Sequence, residues 1–321
     1  MIVAIGPVAD LPSWNWVGID AVKELSKYFH IELFNSFSVI PGASVIIVIK
    51  KLPPLSFIKA IENKKQRIIY MPIDYFESEE QIKMCNSMLR SCNLIISHSE
   101  SLIHYFNRYT TCCLIEHSNK YALPHMNEFK QDGFILWIGG FQFVPYLIQW
   151  ITNHPLQSKL VLCTDYNNKS AIGRAEELSH FMNIPLDKLH HFEMHEWSEE
   201  IQISLMKEAK AAIDIKGDNF SQRHKPPTKA QQFIISGIPF AINRDNNCHN
   251  YFNNRGFTIC SPDDTNTWFS EEYASQTRNS GRQLRKVTSS EYIGRQLKTF
   301  VDAFINPTNP QNVFGFTVHR N

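Results

Sequence analysis

Short apolar runs recur along the chain at near-regular intervals. In the first half they lie at 2–5, 31–34, 44–49, 67–71, 93–97 and 112–115. Most are rich in Ile and Val, too short for helices, and closed by Gly, Pro or polar residues. That is the pattern of strands buried on both faces. Between several of them the apolar positions fall at helical spacing, over 17–28, 56–62, 79–89 and 100–106; in the first of these Ile19, Val22, Leu25 and Tyr28 share one face. The second half repeats the alternation. Strands are predicted at 134–138, 159–163, 189–192, 211–215, 239–242 and 257–260, and helices at 144–152, 171–181, 229–236 and 246–253. The stretch 261–281 is polar and reads as irregular with one short helix. A last helix is predicted over 289–304, with Tyr292, Leu297, Phe300 and Val301 apolar, and 306–321 reads as a tail.

Strands alternating with helices predict an α/β protein built on parallel, doubly wound sheets. A chain of 321 residues is too long for one ordinary core and suits two domains. The polar stretch 121–132, which contains Pro124, is the natural linker. The predicted division is 1–125, 133–288, and a final segment 289–321 that crosses back to the first domain. In such sheets ligands gather at the carboxyl ends of the strands. Residues placed there in the first half are Gly6, Ser13, Trp14, Asn15, Asp74, His98, Glu116 and His117.

Composition narrows the chemistry. A hydrophobic share of 43%, a charged share of 20% and a net charge of +1 describe a globular chain with no excess of positive charge to coat duplex nucleic acid. The seven cysteines are odd in number and contain no Cys-x-x-Cys pair, which predicts buried free thiols in a reducing cytosol. The N-terminus lacks the pattern of a signal peptide, and no apolar run approaches the ~20 residues of a membrane span. A cytoplasmic protein is expected, with peripheral membrane association left open. His190, His191 and His195 cluster without the spacing of a metal site, so no metal is predicted. A Gly-x-Ser-x-Gly elbow, a phosphate-binding P-loop and a Gly-x-Gly-x-x-Gly fingerprint are all missing from the sequence.

The densest signal lies between 211 and 243. An apolar strand gives way to a polar loop carrying Lys216, Arg223, His224 and Lys225; Pro226 and Pro227 close the loop and Thr228 opens a helix that Gly237 ends. Lys229 in the first helical turn is unfavourable unless an anion offsets it. Gln232 lies three residues on and shares its face. Cations beside a helix start predict an anion site.

At these residues the chain resembles the family-4-like glycosyltransferases of the GT-B fold, whose donor helix often reads Pro-x-Lys-x-x-Glu-x-x-x-x-Gly-x-Pro. Pro227, Lys229, Gln232, Gly237 and Pro239 match it, with Gln232 standing where Glu is usual and His224 where a further acid is usual. In the first half CNLIISHSESLIHYF resembles the family's Asp-x-Ile-Ile-x-x-Ser unit, and CLIEHSNKYALP resembles the end of its first domain. The resemblance implies two Rossmann-like domains facing a cleft, an acceptor domain first and a nucleotide-sugar donor domain second. It implies donor contacts from the turn Gly139-Gly140, from His195 in a loop with Met194, and from Arg223, Lys225, Lys229 and Gln232. It implies transfer of a sugar from a nucleotide sugar to an acceptor hydroxyl (on a glycan, a lipid-linked carrier or a small molecule) without cofactor or metal, the cations meeting the charge on the departing diphosphate. If the reaction inverts, a general base comes from the first domain, with His117, Asp74 and His98 the candidates. Because Gln232 and His224 are not acids, the alternative is a GT-B-like protein that binds a nucleotide, a sugar or a partner without turnover. A sugar-nucleotide epimerase on the same fold is a third reading.

Overall fold

The computed structural model describes residues 1–305; the expected tail lies outside the described residues. The chain divides into two compact units. Unit 1 comprises Met1–Ser118, Asn219–Pro226 and the final segment from Lys286, and unit 2 comprises Asn119–Asp218 and Pro227–Arg285.

Unit 1 holds β1 (Ile2–Gly6), β2 (His30–Leu33), β3 (Val45–Ile49), β4 (Arg67–Met71), β5 (Leu94–Ser97) and β6 (Cys112–Leu114). They form one parallel sheet in the order β2-β1-β3-β4-β5-β6. In β3 every residue is buried, and successive side chains enter different cores. Val45, Ile47 and Ile49 join a cluster with Val3, Ile5 and Leu25, whereas Ile46 and Val48 join Ala4, Phe57 and Tyr70. Such two-sided burial is why the strand reads as an unbroken apolar run. The last helix, Ser290–Ile305, packs in this unit: Ile293, Leu297, Phe300 and Val301 enter the first of those clusters. At Gly294 a β-carbon would fall 2.5 Å from Glu24 Cβ, so only glycine permits this approach.

Unit 2 holds β7 (Ile135–Ile138), β8 (Leu160–Thr164), β9 (Glu193–Glu196), β10 (Ala211–Asp214) and β11 (Phe240–Ile242) in the parallel order β11-β10-β7-β8-β9. The helix Thr228–Ile235 follows β10, and its buried face carries Phe233, Ile234 and Ile235 into the core.

Four expectations are corrected. The helix expected over 79–89 breaks at Cys85 into Glu79–Met84 and Asn86–Ser91. Ile82 on the first piece and Met88 and Leu89 on the second all enter the core. The strand expected over 189–192 is a 3-10 turn, Leu186–His191, that buries Leu189; the strand follows as polar β9 at the sheet edge. The strand expected over 257–260 is a single bridge, Ala241↔Cys260, because the Cys260 N–H donates to the Tyr273 hydroxyl instead of a ladder partner. The stretch read as irregular contains the helices Thr265–Trp268 and Glu271–Val287. The longer one escapes notice because Ala274, Thr277 and Gly281 make up much of its buried stripe. Among the described residues no helix is long and apolar enough to cross a membrane.

Candidate functional site

The carboxyl ends of β7, β10 and β11 build a charged site within unit 2. Asp214, the last residue of β10, is 3% exposed. A carboxylate that deep must be paired or neutralised. It is paired twice: Oδ2 lies 2.7 Å from Lys216 Nζ and Oδ1 accepts from Lys229 Nζ at 2.8 Å. Burial pushes the Asp214 carboxyl upward, but the two lysines outweigh it and hold the group at about 2. Burial also lowers Lys229, to about 8, despite the opposing pull of Asp214. Two ammonium groups on one carboxylate leave one net positive charge and several N–H donors beyond the pair.

The backbone around this cluster is fixed. The Lys216 N–H donates to Asn243 Oδ1 and the Lys216 carbonyl accepts from Asn243 Nδ2, each at 2.8 Å, which locks the exit of β10 to that of β11. A β-carbon at Gly217 would stand 2.4 Å from the Tyr146 ring. Lys229 Nζ lies 5.1 Å from the centroid of the Trp137 ring, and a β-carbon at Gly139 would be 3.2 Å from that nitrogen. The Phe141 N–H just after the glycine turn donates to Asp165 Oδ1 at 2.7 Å. On the helix that carries Lys229, Gln232 is 6% exposed, and its Nε2 is buried with no hydrogen-bond partner among the described residues. Such groups are rare and mark positions where a ligand or solvent completes the bonding.

The expected donor residues therefore separate. Gly139, Gly140, Lys229 and Gln232 belong to unit 2, and the structure brings Gly139 and Lys229 side by side. His195 also belongs to unit 2, but it lies on β9 and not in the expected loop, with Nε2 at 2.6 Å from Glu193 Oε1. Arg223 and Lys225 group with unit 1, through the short helix Phe220–Arg223 and the residues after it. His224 is held there: its Nδ1 lies 2.7 Å from the Ser101 hydroxyl, and its ring packs with Phe220 and Tyr105 at centroid distances of 4.3 and 5.5 Å. That packing accounts for His224 without a ligand.

The candidate bases lie at the carboxyl ends of the unit 1 strands. His98 follows β5 and is 6% exposed. The Ile115 carbonyl lies 2.6 Å from its Nδ1 and can only accept, so Nδ1 bears the proton and Nε2 presents a lone pair. Nε2 is buried and has no hydrogen-bond partner among the described residues. Burial lowers this imidazole to about 4, which keeps it neutral. The His117 ring lies 4.3 Å from it. His98 lines two hollows of about 20 Å³ each. His117, Trp16 and Asp20 line one, and Asp74, Ser99 and His224 line the other. Asp74 and its neighbour Ile73 have φ of 50° and 23°, a conformation that non-glycine residues seldom adopt and that recurs at functional sites.

Sequence reading missed the role of Asp214 and the clamp made by Asn243. A signal for Asp214 existed, since an acid inside the apolar run 211–215 must find a cation. Nothing in the sequence pointed to Asn243.

No protein-family model matches the chain, and no curated protein matches it in sequence. Solved structures do match it. HepE of Anabaena in complex with UDP-glucose has a TM-score of 0.60 at 10% identity, over 94% of this chain and 99% of that one. The same protein with UDP and glucose has a TM-score of 0.58 at 9% identity, with equal coverage. AviGT4, a glycosyltransferase involved in avilamycin A biosynthesis, has a TM-score of 0.55 at 11% identity, over 95% of this chain and 97% of that one. The chain has the GT-B fold of glycosyltransferases that its sequence led us to expect.

Proposed function

We propose that this protein binds a nucleotide sugar through unit 2 and transfers the sugar to an acceptor hydroxyl. The carrying observation is the buried Gln232 amide nitrogen, without a hydrogen-bond partner among the described residues, on the helix face of Lys229, whose ammonium lies beside Gly139. A hydroxyl-rich ligand would complete that amide, and the Lys216–Lys229 pair would meet the charge that builds on the departing diphosphate. Fixed ammonium groups supply this stabilisation without a metal. The fold shared with HepE, seen with UDP-glucose, and with AviGT4 supports the reading. His98 and His117 in unit 1 are the candidates for taking a proton from the acceptor.

A second reading, binding without turnover, is favoured by Gln232 itself, which cannot carry the charge of the acid usual at that position. One experiment separates the two. Nucleoside diphosphates and nucleotide sugars are screened by thermal shift, and donor hydrolysis and transfer to simple acceptors are then measured. Stabilisation that is lost in Lys229→Ala and kept in His117→Ala supports a donor site in unit 2. Transfer supports the first reading, and saturable stabilisation without consumption of donor supports the second. No stabilisation by any nucleotide overturns both.

A further inference from the structure

We propose that Asp214 is the positioning residue of the unit 2 site, holding Lys216 and Lys229 as a two-ammonium clamp whose ligand is the diphosphate of a nucleotide. The inference rests on the nucleotide-sugar reading and adds the residue that sets its charge. Lysine side chains are long and flexible, and two of them would not sit together in a buried site unaided. Asp214 gives each a fixed acceptor, one per carboxylate oxygen, at 2.7 and 2.8 Å. The carboxylate is itself buried at the end of β10, and the backbone of Lys216 is hydrogen-bonded to Asn243 through both its N–H and its carbonyl. Each ammonium keeps donors to spare beyond its bond to Asp214, so the pair can present them to an anion without rearrangement.

The arrangement carries its own pH dependence. The titratable and charged groups that act on Lys229 are Asp214 on β10, Lys216 after it, and the Cys248 thiol on the helix Asn247–Asn253. Burial raises that thiol and keeps it neutral. As pH rises through about 8, Lys229 loses its proton and the cluster falls from one net positive charge to none. A diphosphate is fully charged well below that pH, since phosphate second ionisations lie near ~6. The loss of affinity therefore reports the protein and not the ligand.

The test is calorimetric titration with UDP, GDP, ADP and inorganic pyrophosphate between pH 7 and 9.5. Wild type is expected to weaken about tenfold per pH unit above pH 8, the slope of one proton taken up on binding. Asp214→Asn is expected to bind at least tenfold more weakly at pH 7.5. Its decline should also begin at lower pH, because Lys229 then lacks the group that favours its charge. A merely structural role would lower stability without moving that onset. A flat wild-type profile, or an Asp214→Asn profile that coincides with it, overturns the clamp while nucleotide binding stands. Absence of binding by all four probes at every pH overturns the clamp together with the nucleotide reading. Should Asp214→Asn fail to fold, the wild-type slope still decides.

Discussion

Gly139 faces the ammonium of Lys229 so closely that a β-carbon there would stand 3.2 Å from Nζ and 2.7 Å from the Trp137 ring. Trp137 is 1% exposed and has no room to give way. The glycine is therefore a packing requirement of the charged site and not only a turn residue. Gly139→Ala should push Lys229 off the Trp137 face and overpack the end of β7. We expect a stability loss of about 1–3 kcal/mol and weaker nucleoside diphosphate binding, read by chemical denaturation and titration of one sample. If both stability and affinity are unchanged, the close approach is not a constraint.

Gln232 sets function against stability. Its buried amide nitrogen, with no partner among the described residues, costs about 1–3 kcal/mol of desolvation, and an apolar side chain of similar size removes that cost. Gln232→Met should therefore raise the melting temperature of the ligand-free protein by about 2–4 °C while weakening nucleotide binding. A variant that melts lower would mean that Gln232 already makes a bond that stabilises the folded chain. One that melts higher and binds UDP as before would remove Gln232 from the site.

How much of this was legible in the sequence depended on how each residue is held. The strands of unit 1 could be read because runs such as 45–49 are buried on both faces and must be apolar throughout. Lys229 could be read as a site residue because a cation in a first helical turn is anomalous without an anion. The helix Glu271–Val287 could not be read, because close packing on it demands small side chains, which carry little hydrophobic signal. β9 was hidden because an edge strand with Glu193, His195 and Glu196 lacks the composition of a buried one. The cations from Lys216 to Lys229 are neighbours in sequence, yet Arg223 and Lys225 group with unit 1 and Lys216 and Lys229 with unit 2. No pattern in the sequence marks that the chain leaves one unit at 219 and returns at 227.

His98 makes the fold sensitive to mild acid, and the direction follows from its environment. Its folded-state value of about 4 lies below the 6.5 of an exposed imidazole, so between those values the unfolded chain binds the extra proton. Stability from the neutral imidazole is present in full above pH 6.5 and is lost as pH falls from there towards 4. The lowered imidazoles of His224 and His249 act in the same sense. The lowered Asp214 acts below this window: its contribution is lost as pH falls from the ordinary 3.8 of an aspartate towards the folded value of about 2. At about 1.4 kcal/mol per pH unit, His98 contributes of the order of 2 kcal/mol between pH 6.5 and 5. Urea denaturation at the two pH values should show that loss in wild type and a smaller one in His98→Gln. Equal losses in the two proteins would assign the acid sensitivity elsewhere.

Two helical glycines in unit 2 should respond to the same substitution with opposite sign. In an open helix interior, alanine is favoured over glycine by about 1 kcal/mol, because glycine loses more backbone freedom on folding. Gly173, within the helix Lys169–Met182, has nothing within 4 Å of the position a β-carbon would take. Gly173→Ala should therefore gain close to that amount. Gly281, within Glu271–Val287, would place the same atom 2.2 Å from the Ile234 carbonyl oxygen and 2.5 Å from Met126 Cε. The methionine end can move; the backbone carbonyl, on the helix that also carries Lys229 and Gln232, cannot move without shifting that helix. Steric cost then exceeds the propensity gain, and Gly281→Ala should destabilise by about 1–3 kcal/mol. Because the strain falls on the helix of the charged site, nucleotide affinity should drop in Gly281→Ala and stay constant in Gly173→Ala. Denaturation midpoints and UDP titrations of the two variants check both signs. A stabilised Gly281→Ala would show that the two helices can separate freely, and that the site does not depend on how they pack.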